Sequence, residues 1–211
     1  MDINTKQIIN SVTFFGCACG EPGEPNYEAA KAVAKEVALS GRRVINGGGP
    51  GTMLAATLGA KEGEGKTTVV YYRPELATSF KGEIAANYAE EHYEESNYIL
   101  RTKKLLELGN AYIIFNGGTG TISEFAMAWG VARLYFGHHK PLILYGDFWH
   151  SIMDNFKKNM FVREEEYKVF TIVNTPEDAI RQLDAYEKIV DKNRKEHRNC
   201  ASPGAECHLL L

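Results

Sequence analysis

The segment Asn116-Gly117-Gly118-Thr119-Gly120-Thr121-Ile122-Ser123-Glu124 sets a carboxylate just beyond three glycines, and the apolar run Ala111 to Phe115 directly precedes it. A buried strand that ends in such a loop and passes into a helix makes a cradle for phosphate. Glycine lets the backbone approach a ligand closely, and a new helix N-terminus offers unpaired N–H groups and the positive end of a dipole. Gly117, Gly118, Gly120 and Thr121 are therefore candidate phosphate ligands. Glu124, expected on the first turn of that helix, is a candidate catalytic group, because a carboxylate there has more to do than bind an anion. A second glycine loop, Gly47-Gly48-Gly49-Pro50-Gly51, follows another short apolar strand. Arg101 is the third candidate. Alone it reads as a solvated helix charge beside Lys103 and Lys104. Its helix, however, should end at Leu108 and run antiparallel to the strand from 111, which returns Arg101 to the edge that carries Glu124.

These groups need a scaffold, and the chain alternates strand-like and helix-like segments from end to end. Strands are predicted at 11–16, 43–45, 67–72, 111–115, 141–145 and 169–173. Helices are predicted at 27–39 with Asn26 as cap, at 52–62, at 97–108, at 121–136, at 148–159 with Asp147 as cap, and from Thr175-Pro176 onward. The stretch 73–96 has an acidic middle with weak periodicity and reads as a short helix and loop across the top of the sheet. Parallel strands need crossover connections, so this alternation predicts a single α/β domain over 1–191. Its core would be a doubly wound, Rossmann-like, mostly parallel sheet with helices on both faces. A polar tail, 192–211, would follow. Ligands in such sheets bind beyond the carboxyl ends of the strands, where both glycine loops would emerge.

Composition narrows the function. With 211 residues, 44% of them hydrophobic, there is enough for one well-buried domain and too little for two. A net charge of −3 gives no electrostatic case for a nucleic-acid partner. No apolar run approaches a membrane span and the N-terminus lacks a signal-peptide core, so cytoplasmic residence is the expectation. Four cysteines form no zinc or C-x-x-C pattern; Cys17 and Cys19 read as free thiols. The six histidines form no i, i+4 pair, so no metal is expected. Gly65-Lys66-Thr67-Thr68 imitates the end of a P-loop, but Ala60 stands where that motif requires glycine, and the order of helix and strand is reversed. Neither glycine loop is a G-x-G-x-x-G fingerprint, and no acidic residue closes the second strand to hold a dinucleotide ribose. The apolar side of helix 121–136, with Trp129, Leu134 and Tyr135, suits a homodimer contact.

Gly47-Gly48-Gly49-Pro50-Gly51-Thr52-Met53, followed by Ala55-Ala56 and Gly59-Ala60, resembles the GGGPGxM-x-AA-x-x-GA segment of the LONELY GUY-type proteins. These are cytokinin riboside 5′-monophosphate phosphoribohydrolases, many of whose relatives carry the label "possible lysine decarboxylase". Asn116 to Glu124 resembles their PGGxGTxxE motif, and Phe15-Gly16-Cys17-Ala18 is similar to their first-strand loop, which usually has Ser at the place of Cys17. The resemblance implies cleavage of the N-glycosidic bond of a nucleoside 5′-monophosphate, with no cofactor, giving free base and ribose 5-phosphate. It places the catalytic arginine on Arg101, the catalytic glutamate on Glu124 and the phosphate loop on Gly117, Gly118, Gly120 and Thr121, with Gly16, Cys17, Gly48 and Gly49 as further substrate contacts. Asn116, Thr102 and Met127 depart from the family's usual proline, lysine and acidic residue, and bear on substrate choice. A carrier of nucleotide or molybdenum cofactor, or a sensor of a signalling nucleotide, is the alternative without turnover. Decarboxylation would call for a lysine Schiff base with pyridoxal phosphate, and no lysine occupies a marked position.

Overall fold

The computed structural model describes residues 7–73 and 87–197. Seven parallel strands form one sheet: β1 (Ser11–Phe15), β2 (Arg43–Asn46), β3 (Thr67–Tyr72), β4 (Glu91–Glu95), β5 (Ala111–Ile114), β6 (Leu142–Tyr145) and β7 (Phe170–Val173). Their spatial order is β4-β3-β2-β1-β5-β6-β7. The chain winds outward from β1 in one direction and then from β5 in the other, so the strand order reverses between β1 and β5. Thr13 pairs with Ile45 on one side and with Tyr112 on the other, which makes β1 and β5 the centre of the sheet.

Among the described residues, six α-helices cover the faces: α1 (Pro25–Leu39), α2 (Thr52–Glu62), α3 (Tyr98–Leu108), α4 (Thr119–Leu134), α5 (Phe148–Asn159) and α6 (Pro176–His197). A core of Val12, Phe14, Val44, Ile113 and Ile143 lies under α1, α2 and α6, while Phe15, Ile45, Val70, Ile114 and Leu144 pack under α3, α4 and α5. Strands buried on both faces read as unbroken apolar runs, which is why the central ones are legible in the sequence. Gly59 lies so close to the Lys31 carbonyl that a side chain would not fit, and this lets α1 and α2 pack tightly. No helix among the described residues is long and apolar enough to cross a membrane.

The prediction fails at several points. Glu91 to Glu95, expected to be part of a loop, is the edge strand β4, paired in register from Thr68↔Glu91 to Tyr72↔Glu95; residues 74–86 of the same stretch lie outside the described residues. An exposed, acidic edge strand has no buried face and therefore no apolar alternation, and its charges blunt pairing with other chains. Asn26 does not cap α1. Pro25 occupies the first turn, Glu24 is the cap position, and Asn26 instead donates to Thr52 Oγ1 and to the Asn116 carbonyl. Asp147 stands at the start of α5 without a capping bond and accepts from Asn174. Helix α6 continues past 191 to His197, and the tail from 198 lies outside the described residues.

Candidate active site

At the switch point between β1 and β5, three loops surround a cavity of about 400 Å³, within the range of small-ligand sites of about 300–1,000 Å³. The loop after β1 supplies Gly16 to Cys19, the loop after β2 supplies Gly47, and the turn into α4 supplies Gly118 to Thr121. Arg101 and Tyr98 enter from α3, Met53 from α2 and Glu124 from α4. Backbone bonds tie the loops together: Cys17 N–H donates to the Asn116 carbonyl (3.0 Å), and Thr52 N–H donates to the Cys17 carbonyl (2.9 Å). Gly51, at φ +64°, adopts a conformation that side-chain-bearing residues avoid, and a β-carbon there would collide with the Cys17 carbonyl.

Arg101 and Glu124 meet, as their spacing predicted. Arg101 Nη1 donates to Glu124 Oε1 at 3.1 Å, and both residues are buried, at 7% and 6% exposure. The guanidinium is held on its remaining sides as well: Nε donates to the Val70 carbonyl (3.0 Å) and Nη2 to the Gly47 carbonyl (3.2 Å), with Met53 Sδ at 3.8 Å from Nη2. Among the described residues, Glu124 Oε2 has no partner. Glu124 is the sixth residue of α4 and so lies on the second helical turn, not the first. Burial raises its pKa to about 7, which outweighs the downward pull of Arg101. Arg101 thus favours the ionised form, but burial is the larger effect, and sequence shows the neighbouring charge rather than the depth of burial.

The loop from Gly117 to Thr121 lines the cavity only in part. Ile122 N–H makes the first backbone bond of α4, to the Gly118 carbonyl, which leaves the N–H groups of Thr119, Gly120 and Thr121 without partners among the described residues. Gly118, Gly120 and Thr121 line the cavity. Gly117 does not; it packs against Thr121 Oγ1 and Cys17 N, with no room for a side chain. Gly16 and Cys17 also line the cavity, whereas Gly48 and Gly49 do not. Gly48 N–H turns back onto Asn46 Oδ1 (2.8 Å), and the Gly49 carbonyl accepts from Asn87 Nδ2 (2.8 Å). The cavity-lining glycine of that loop is Gly47.

Sequence reasoning missed several contributions to the site. Tyr98 lies one turn before Arg101 and bonds Gly120 O (3.1 Å) and Ser123 Oγ (2.5 Å), a spacing that could have revealed it. Asn87 closes a buried network with Asn46 and Thr57 that fixes the Gly47–Gly49 loop. Asn26 joins the α2 and β5 loops. Cys17 and Cys19, read as free thiols, are joined as a disulfide, because the turn after β1 brings their Cα atoms within 5.3 Å.

The described residues hold no cluster of His, Cys, Asp or Glu fit for a metal ion. Among them no lysine lines the cavity. The buried Lys140 donates to the Leu106 and Glu107 carbonyls at the far end of α3, away from the site. Trp129 packs on Phe125 and donates to the Glu166 carbonyl, so it belongs to the core; Leu134 and Tyr135 are exposed.

A parallel sheet with a glycine-rich loop and a buried arginine–carboxylate pair at its switch point defines an α/β protein with a candidate site at the centre of its sheet. The family model described as "possible lysine decarboxylase" matches residues 53–183, well over half of the chain, and the protein belongs to that family, the LONELY GUY-type proteins. A cytokinin riboside 5′-monophosphate phosphoribohydrolase of Rhodococcoides fascians is 30% identical over 65% of this chain and 68% of its own length. Among solved structures, the molybdenum cofactor binding protein of Rippkaea orientalis superposes with a TM-score of 0.62 at 23% identity, covering 83% of this chain and 96% of that one. The molybdenum cofactor carrier protein of Chlamydomonas reinhardtii gives 0.58 at 20% identity over 83% and 98%. At these identities the structural likeness establishes the shared fold.

Proposed function

We propose that the protein hydrolyses the N-glycosidic bond of a nucleoside 5′-monophosphate. The observation that carries this reading is the buried Arg101–Glu124 contact at the wall of a cavity whose other side is the α4 N-terminus. The free N–H groups of Thr119, Gly120 and Thr121 would hold the 5′-phosphate, aided by the helix dipole. Binding energy from that remote group would then orient the sugar at the reacting bond. As the bond to the base lengthens, positive charge grows on the ribose, in the oxocarbenium manner of glycoside hydrolysis. The Glu124 carboxylate stabilises that charge and takes a proton from the attacking water, which balances the proton gained by the departing base. A pKa of about 7 suits a group that accepts and releases a proton near neutrality. Arg101, fixed by two carbonyls, sets the carboxylate's position and retains N–H capacity for a ribose or phosphate oxygen.

The relative from Rhodococcoides fascians is named for this chemistry, which supports the reading. The rival is a carrier that binds nucleotide or molybdenum cofactor unchanged, as the names of the structural neighbours would have it. A buried carboxylate in the cavity wall favours turnover, because a carrier needs phosphate donors but no carboxylate beside them. AMP, its purine and pyrimidine counterparts and a cytokinin riboside monophosphate, each incubated with the protein and resolved by chromatography, decide between them. Free base should appear with one or more; intact nucleotide across the whole panel, with binding, establishes the carrier.

A further inference from the structure

The cavity wall after β1 contains a feature that hydrolysis does not use, the bridge between Cys17 and Cys19. Cys17 is where three loops meet. Its N–H donates to the Asn116 carbonyl and its carbonyl accepts from Thr52, while Gly117 lies close to its nitrogen and Gly51 close to its carbonyl oxygen. The backbone of Cys17 is therefore fixed whatever the state of its sulfur. Cys19 has no comparable anchor. It is exposed, its N–H turns back on Cys17 Sγ at 2.9 Å, and Ala18 and Gly20 make no hydrogen bond to another described residue. The bridge is what holds Ala18 and Cys19 in place as cavity wall.

We propose that Cys17–Cys19 is a reversible redox-modification site that sets the order of this wall, opened by dithiol reductants and closed by small-molecule disulfides. Serine, usual at the place of Cys17 in the loops this one resembles, could not form the bridge. A thiolate of the reductant attacks the exposed Cys19 sulfur, the S–S bond breaks, and Cys17 leaves as a thiolate that takes up a proton. The reductant's second thiol then displaces Cys19 from the mixed disulfide. Two electrons pass to the protein, two cysteine thiols form and the reductant becomes a disulfide. Oxidised glutathione reverses the sequence. Disulfides of reducing compartments are commonly transient or sensing, and a bridge on a ligand cavity, with one exposed member, fits that pattern.

The reduced wall must be ordered again when ligand binds, so the closed form should bind more tightly. The inference concerns the wall rather than the reaction, and its test keeps the two apart. The full-length chain, with Cys200→Ser and Cys207→Ser to remove the other thiols, is equilibrated with dithiothreitol or with oxidised glutathione. Alkylation and mass spectrometry count the thiols at 17 and 19, hydrogen exchange follows residues 16–20, and calorimetry measures AMP binding. Reduction should free both thiols, speed exchange at 18–20 and weaken AMP binding about tenfold. A further Cys19→Ser change should reproduce the reduced behaviour under both conditions. If the bridge never forms, or if exchange at 18–20 is the same in both states, the proposal is wrong. If AMP binds to neither state, the functional reading fails while the exchange measurement still decides this one.

Discussion

Replacing Glu124 with Gln removes a charge and leaves the shape, which makes it the sharpest probe of the site. The amide oxygen can still accept from Arg101 Nη1, now at 3.1 Å from Oε1, and the surrounding bonds to Val70 and Gly47 are untouched. What disappears is the negative charge beside the developing ribosyl cation and the group that takes the water's proton. Such contributions are worth roughly 10²–10⁴ in rate, so release of base should fall about 10³-fold, or ~4 kcal/mol of barrier. Binding of AMP should persist or tighten slightly, because a carboxylate no longer faces the phosphate. The pH dependence adds a second check. With a pKa of about 7 and the carboxylate as the working form, wild-type kcat/KM should rise tenfold per pH unit from 5 toward 7 and level off above it. Stability moves oppositely. A carboxyl whose folded pKa is raised from 4.5 to about 7 stabilises the fold below pH 4.5, and that stability is lost as pH rises toward 7. The amount is on the order of 3 kcal/mol. The melting temperature of Glu124→Gln relative to wild type should therefore be more favourable at pH 8 than at pH 5. A variant that retains activity within tenfold of wild type, or a flat wild-type pH profile, refutes the assignment.

Other perturbations follow from the same contacts. Arg101→Lys replaces a planar fork with a point donor that cannot serve Val70, Gly47 and Glu124 together; activity should fall at least 100-fold and the acidic limb of the pH profile should move to higher pH, as read from kcat/KM against pH. Gly47→Ala would drive a methyl into the Arg101 guanidinium, which three hydrogen bonds hold buried; the melting temperature should fall by several degrees and base release should collapse. Asn87→Ala leaves the Gly49 carbonyl and Asn46 short of a buried partner, at a cost of about 1–3 kcal/mol, which thermal denaturation would register as a loss of several degrees. The expected homodimer, with exposed Leu134 and Tyr135 on the expected contact, should appear in sedimentation as twice the chain mass and dissociate in Leu134→Asp.

The central strands, the two glycine loops and the convergence of Arg101 with Glu124 were readable because each rests on a local rule. Apolar runs mark strands buried on both faces, and helix-then-strand geometry returns Arg101 to the edge of the sheet. The edge strand Glu91–Glu95 was not readable, since its place comes from pairing with β3 and from Arg43 meeting Glu91 across the edge. Glycine content could not tell Gly47, which meets the guanidinium, from Gly48 and Gly49, which the Asn46–Asn87 network takes up. The raised pKa of Glu124 was not readable for a related reason: burial depends on the whole packed layer, and only the charged neighbour is visible in the sequence.

Hydrolysis in water enriched with oxygen-18 bears most directly on the chemistry assigned to the cavity. Attack of water at the anomeric carbon predicts ribose 5-phosphate carrying one labelled oxygen at C1, formed in step with free base and absent with Glu124→Gln. Nucleotide recovered bound and unlabelled, with no sugar phosphate formed, would contradict the account.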